Sequence, residues 1–316
     1  MPTATPAVEL AAPDIAPYEA GNTGIPYVMS FDSGWPGPHV LVNALAHGNE
    51  LCGAITLDRL FRRGVRPVAG KLSLSFANVA AYHRFDPASP TASRFVDEDF
   101  NRLWDAATLD GKRQSAELAR ARALRPLVDT VDLLLDLHSM QQATAPLMLA
   151  GLTDKSLALA RRVGVPEIIV RDAGHAAGAR LRDYGAFADP ASPKAALLVE
   201  CGQHWERPTA ELAIETTWRF LAAAGVLAPA QAARILAQPT KPQRVIAVTD
   251  AVTIAGDRFA FTEDFRGLEV IPRAGTVIAH DDGREIRTPY DDCVLIMPSR
   301  RLLRGQTAVR LGRFTE

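Results

Sequence analysis

Two histidines and two glutamates in this sequence stand at the tips of apolar runs, where such side chains can hold a metal ion and move a proton. His47-Gly48-Asn49-Glu50 follows the run HVLVNALA (39–46) and opens a stretch of helical spacing. Such a turn leaves the histidine at a strand tip and the glutamate about one helical turn further on, so both can converge on one point. Imidazole nitrogen and carboxylate oxygen are ordinary zinc ligands, and two histidines, one glutamate and a water form an established catalytic set. Taken alone the His-x-x-Glu spacing is weak, because a glutamate in the first turn of a helix is more often only a partner of the helix dipole. His138 closes LLLDLHS, and period two places Asp136 on the same face, able to accept the second imidazole N–H and fix the tautomer. The competing reading is a solvated histidine with an ordinary hydrogen bond. Glu200 ends AALLVECG, where burial beside a metal tunes a carboxylate for proton shuttling. An exposed strand-end glutamate is the alternative there.

A fourth piece is the loop Arg94-Phe95-Val96-Asp97-Glu98-Asp99-Phe100-Asn101-Arg102. Guanidinium groups recognise carboxylates bidentately and asparagine adds directional bonds, so Asn101 and Arg102 can clamp a substrate carboxylate while Arg94 polarises a carbonyl. By composition alone, pairing of these arginines with Asp97, Glu98 or Asp99 on a solvated surface is the favoured reading.

These residues must be positioned by the elements around them. Apolar runs of strand length (39–46, 71–79, 131–140, PLMLAG, EIIVRD, 195–202) alternate with helical patterns (49–65, SAELARARALRPLV, DKSLALARRVG, TAELAIETTWRFLAAAG, APAQAARILAQ). The first twenty or so residues read as an extended lead-in. Such alternation predicts an α/β fold with a mainly parallel sheet covered on both faces, whose carboxyl edge is where ligands bind. Three apolar strands then bring His-x-x-Glu, Asp-x-His and Glu to one rim, and that convergence carries more weight than any single residue. Beyond the linker QPTKPQR (238–244) come short strands separated by Gly, Pro and Asp turns. The division expected is an α/β domain over 1–240 and a β-rich domain over 241–316.

Several classes are set aside by composition. A chain of 316 residues with 47% hydrophobic and 22% charged residues is ordinary globular material. Its formal net charge of -1 gives no global pull on nucleic acid or anionic membrane. No run of apolar residues is long enough to span a bilayer, and the N-terminus lacks the pattern of a signal peptide. Cys52, Cys201 and Cys293 are sparse and odd in number, which predicts reduced thiols and a cytoplasmic protein. There is neither an HExxH helix nor a G-x-S-x-G elbow.

AHGNE (46–50), RFVDEDFNR (94–102), LLLDLHS (133–139) and LLVECGQ (197–203) together resemble, in order and spacing, the succinylglutamate desuccinylase/aspartoacylase family of the zinc carboxypeptidase-like superfamily. The resemblance implies a carboxypeptidase-like α/β core with a smaller β domain, and one Zn2+ per chain on His47, Glu50 and His138. It further implies Glu200 as general base and then acid, Arg94 at the oxyanion, and Asn101 with Arg102 on a substrate carboxylate. The reaction implied is hydrolysis of the amide bond of a small, carboxylate-bearing N-acyl amino acid. The chain departs from well-known members in having Ala44-Leu45-Ala46 in place of a glycine pair. The nearest counterparts of a second carboxylate-binding arginine are Arg180 and Arg182, and Tyr290 is the counterpart of a tail tyrosine that closes the site. Two other readings stand beside this one: a zinc carboxypeptidase acting on short peptides, and a non-catalytic relative that binds an acyl metabolite. A homo-oligomer is left open.

Overall fold

In chain order the strands are β1 (Val28–Asp32), β2 (His39–Ala44), β3 (Lys71–Phe76), β4 (Leu133–Met140), β5 (Leu147–Leu149), β6 (Ile168–Arg171) and β7 (Ala195–Gln203). The tail adds β8 (Arg244–Thr253), β9 (Phe259–Phe261), β10 (Val270–Ile271), β11 (Val277–Asp281), β12 (Arg284–Arg287), β13 (Cys293–Ile296) and β14 (Thr307–Phe314). Helices are α1 (Leu51–Arg62), α2 (Val79–Tyr82), α3 (Ala106–Asp110), α4 (Ala116–Val128), α5 (Asp154–Val163), α6 (Arg207–Ala223) and α7 (Pro229–Leu236). The computed structural model describes residues 6–174 and 177–315.

Eleven strands form one mixed sheet in the order β1-β3-β2-β4-β7-β5-β6-β8-β14-β13-β10, and β12-β11-β9 make a separate small antiparallel sheet. Strands β3, β2, β4 and β7 are mutually parallel neighbours. Beyond them β5 runs antiparallel to β7. The tail does not stand apart: β8 pairs in parallel with β6, so the main sheet continues through the linker into β14 and β13.

Side-chain alternation explains why these strands are apolar throughout. On β2, Val40, Val42 and Ala44 pack into one core and Leu41 into another; on β4, Leu135 and Leu137 oppose Leu134 in the same way. The first core lies under α1, α5 and α6, and the second lies under α4 with its flanking turns. From residue 6 the lead-in has a 3-10 turn at Ala16–Tyr18, and it is anchored: Ile15 is buried and the Tyr82 hydroxyl donates to the carbonyl of Pro13. No helix among the described residues is long and apolar enough to cross a membrane. All three cysteines are free and buried.

Candidate metal centre and active site

Parity and register decide where the polar side chains go. Leu134↔Ala196, Asp136↔Leu198 and His138↔Glu200 are paired across β4 and β7, and Asn43 of β2 is paired with Asp136. Leu134 and Ala196 face the core under α4, so Asp136, His138 and Glu200 share that face toward the carboxyl end of the parallel strands. His47 and Glu50 come from the turn that leaves β2. Leu45 adopts φ +61° there, and Glu50 occupies the position before α1 without capping it. Its carboxylate is turned instead toward two imidazoles. Gly48 makes this turn fit: a Cβ would stand 2.4 Å from backbone atoms of Ala81 and Tyr82 and 2.5 Å from the carbonyl of Ser93.

The result is a buried cluster. Glu50 Oε1 lies 2.8 Å from His47 Nδ1, and Glu50 Oε2 lies 2.9 Å from His138 Nδ1. The second nitrogen of each ring is backed by a carboxylate, His138 Nε2 by Asp136 at 2.9 Å and His47 Nε2 by Asp99 at 2.9 Å. Asp136 is itself held by the amide of Asn43 at 2.8 Å. The arrangement fits a metal, because three buried donors of the types zinc takes lie within 4.8 Å of one another and both outward-facing imidazole nitrogens have carboxylate partners. With Nε2–H of His47 donated to Asp99, Arg94 bonds to the other oxygen of Asp99 at 3.1 Å.

Charge and burial pull these groups in opposite directions. Burial pushes the Glu50 and Asp99 carboxyls up, but neighbouring groups outweigh it and hold both well below the ordinary range; His47 is the largest such influence on each, followed by His138 for Glu50 and Arg94 for Asp99. Burial alone would lower His138, yet Asp136 and Glu50 keep it well above its usual value. Glu200 moves the other way. Burial, with Glu50 nearby, pushes it up to about 7 against the pull of His138, His47 and Arg94, and its Oε2 has no hydrogen-bond partner among the described residues. His204, buried and joined to the Ser139 hydroxyl at 2.8 Å, is pushed down to about 3, chiefly by desolvation.

A cavity of about 370 Å³ opens over the cluster. His47, Glu50, His138, Glu200, Arg94, Asn101, Arg102 and Arg180 all reach it. Two expected substrate residues do not. Arg182 is buried but absent from the lining, with its guanidinium on Asp172 and Asp183. Tyr290 is also off the lining: its hydroxyl meets Thr249 and its ring lies under Arg313, so the expected place over the site is corrected. Arg94 does pair with Asp99 as composition favoured, but inside the site rather than on a solvated surface.

Other residues of the site carry no signal that sequence reasoning picked up. Asp99 is one of three acids in a run, and only the fold shows that it serves His47. Glu117, fully buried in the first turn of α4, accepts the backbone N–H groups of Val96, Asp97 and Glu98 and so holds the arginine loop. Tail residues Met297, Arg301, Thr307 and Arg310 complete the cavity wall.

Residues 36–223 match the model of the succinylglutamate desuccinylase/aspartoacylase catalytic domain. The chain belongs to the succinylglutamate desuccinylase/aspartoacylase family. Among solved structures it is similar to succinylglutamate desuccinylase from Vibrio cholerae, at 18% identity and TM-score 0.70 over 92% of this chain and 86% of that one. The Vibrio parahaemolyticus desuccinylase aligns at 20% identity and TM-score 0.63, covering 89% and 82% of the two chains. The ectoine utilization protein EutE (DoeB) from Ruegeria pomeroyi, in a product-bound structure, aligns at 16% identity and TM-score 0.59 over 90% and 87%. At these identities the likeness establishes the shared fold. No curated protein matches the chain.

Proposed function

We propose that this chain is a zinc-dependent amidohydrolase that cleaves the amide bond of a small N-acyl amino acid. The observation that carries the reading is the buried His47, Glu50 and His138 group with the elevated, partly unpartnered carboxylate of Glu200 beside it at the floor of one cavity. His47, Glu50 and His138 would hold one zinc ion per chain. When bound, the ion supplies Lewis acidity, polarising the scissile carbonyl and acidifying a water.

The chain's own groups do the rest. Glu200 accepts a proton from the attacking water and delivers it to the leaving nitrogen, the two roles of one carboxylate whose pKa lies near the working pH. Arg94, with a guanidinium at the cavity wall, stabilises the negative charge that develops on the former carbonyl oxygen. Asn101, locked by the backbone N–H of Leu181 at 2.8 Å, and Arg102 beside it receive a substrate carboxylate. Water adds across the amide to release a carboxylic acid and a free amino acid.

A small substrate is favoured over a peptide because the segment Met297–Arg301 and strand β14 wall a cavity of only about 370 Å³. The same wall supports treating residues 241–316 as a functional unit that shapes the pocket of 1–240. The decisive assay combines metal analysis of the purified protein with hydrolysis of a panel of N-acyl amino acids and short peptides. Zinc near one equivalent, chelator-sensitive release of amino acid and no exopeptidase activity are expected. Protein that neither binds zinc nor hydrolyses any member of the panel after zinc addition would sink the proposal.

A further inference from the structure

A third buried imidazole stands in the cavity wall beside the two that would hold metal. His204 follows β7, the strand that carries Glu200, and it lines the cavity while only 2% exposed. It is held from three sides. The Ser139 hydroxyl lies 2.8 Å from Nδ1, the backbone N–H donates to the carbonyl of Met140 at 2.8 Å, and the indole of Trp205 packs against the ring with centroids 5.4 Å apart. Trp205 in turn donates its Nε1–H to the carbonyl of Asn49 at 3.1 Å, and the Ser139 backbone N–H reaches Glu50 Oε2 at 3.3 Å. These contacts fix the imidazole relative to both segments that carry the metal ligands, the turn of His47 and Glu50 and the end of β4.

The hydroxyl decides which ring nitrogen carries the proton. A buried O–H needs an acceptor, and that of buried Ser139 meets none but His204 Nδ1 among the described residues. The hydroxyl therefore donates to Nδ1, which leaves the ring proton on Nε2. Nε2 makes no hydrogen bond among the described residues, so its N–H is the polar group the ring has left for the cavity it lines. Desolvation, with Arg94, His47 and His138 nearby and against the pull of Glu50, pushes His204 down to about 3. The ring is thus neutral at any working pH, a hydrogen-bond donor that brings no charge of its own. Those same neighbours, the metal ligands and Arg94, are the groups that surround a scissile carbonyl bound at the centre. A neutral, rigidly held N–H in a dry site is well suited to charge that develops only in the transition state.

We propose that His204 is a further catalytic residue: its Nε2–H donates to the former carbonyl oxygen as negative charge gathers there, a second donor beside Arg94, and Ser139 is the positioning residue that keeps the proton on Nε2. This rests on the amidohydrolase reading and adds a donor to it. The oxygen concerned is common to every acyl substrate, so the pair governs turnover and not the choice of acyl group or amino acid.

The test uses the zinc-loaded full chain. Removing one oxyanion donor costs roughly 10²–10³-fold in kcat, so His204→Leu should lose about that factor in kcat and in kcat/KM alike, with KM nearly unchanged. His204→Gln, whose side-chain NH2 can stand near the place of Nε2–H, should restore a large part of the rate, and Ser139→Ala should fall between wild type and His204→Leu. Two readouts are free of turnover. Nitrogen-15 NMR of the histidine rings should show His204 protonated on Nε2 and bare on Nδ1. Calorimetry should show His204→Leu losing affinity for methylphosphonate, a tetrahedral oxyanion, while keeping that for planar acetate. The tautomer and Ser139→Ala judge the proposal even where His204→Leu does not fold. A ring protonated on Nδ1, a kcat left within a few-fold of wild type, or a loss that falls on KM and on both probes equally overturns the assignment. Should no amide be turned over, the hydrolase reading fails by itself; methylphosphonate binding that still depends on His204 would then keep the donor, and binding indifferent to it would remove the donor as well.

Discussion

Glu117 offers the sharpest test of how the site is built, because it stands off the cavity wall and yet four donors depend on it. Its Oε1 accepts the Val96 N–H at 2.6 Å and the Asn78 amide at 3.0 Å; its Oε2 accepts the N–H groups of Asp97 at 3.0 Å and Glu98 at 3.2 Å. In Glu117→Gln one oxygen becomes an NH2 group, a donor facing two donors, so two of the four bonds are lost. Hydrogen bonds to a charged group contribute about 1.5–3 kcal/mol each, which sets the expected destabilisation at roughly 3–6 kcal/mol. That is a large part of the ~5–15 kcal/mol by which a domain is stable. Residues 96–98 lie between Arg94 and Asp99, so slackening them misplaces the groups that act on substrate. A displacement near ~1 Å costs on the order of 100-fold in rate. Urea unfolding should show a lower midpoint at unchanged slope, and kcat/KM on the best N-acyl substrate should fall by about that factor. An unchanged midpoint together with kcat/KM within about twofold of wild type would refute the reasoning, since it would mean the carboxylate does not anchor the loop.

Two further outcomes follow from the same geometry. Asp136→Asn keeps the shape but weakens the acceptor for His138 Nε2, and zinc affinity measured against a competing chelator should drop about 10–100-fold; an undiminished affinity would remove Asp136 from its supporting role. Glu200→Gln should retain the metal and lose about 10²–10⁴-fold in turnover. In metal-free protein the same change should alter the pH dependence of stability. The folded value of Glu200, about 7, lies above its ordinary 4.5, so the fold favours the neutral form and wild-type stability falls as pH rises across that window. The variant should therefore gain on wild type between pH 4.5 and about 7, and parallel stability curves would contradict the burial argument.

Much of the site was legible in sequence because the signal was periodic and local. Apolar runs ending in His-x-x-Glu, Asp-x-His and Glu predicted strand ends on one rim, and β2, β4 and β7 are parallel neighbours. The pairing of Asp136 with His138 followed from period two alone. Strands β1, β9 and β12 were not anticipated: they are short, exposed on one side or at a sheet edge, and their patterns are set by their neighbours. The tail reads in sequence as a small β domain of its own, and the pairing of β8 with β6 leaves no mark there, because backbone hydrogen bonds between distant segments do not depend on composition.

The sequence by itself determined which ligand and base types stand at the strand ends, since residue types and spacing fix what a strand end can present. Only the tertiary structure decided which charges are left over. Asp99 is one acid among three in a run until the fold sets it on His47, and Arg180, Arg182 and Arg310 are alike as residue types. Long-range packing puts Asp172 in hydrogen bonds with the first two and leaves the third, on the far end of the chain, 3.6 Å from the same carboxylate. That residual balance of buried charge is a property of three-dimensional neighbours and of no local pattern.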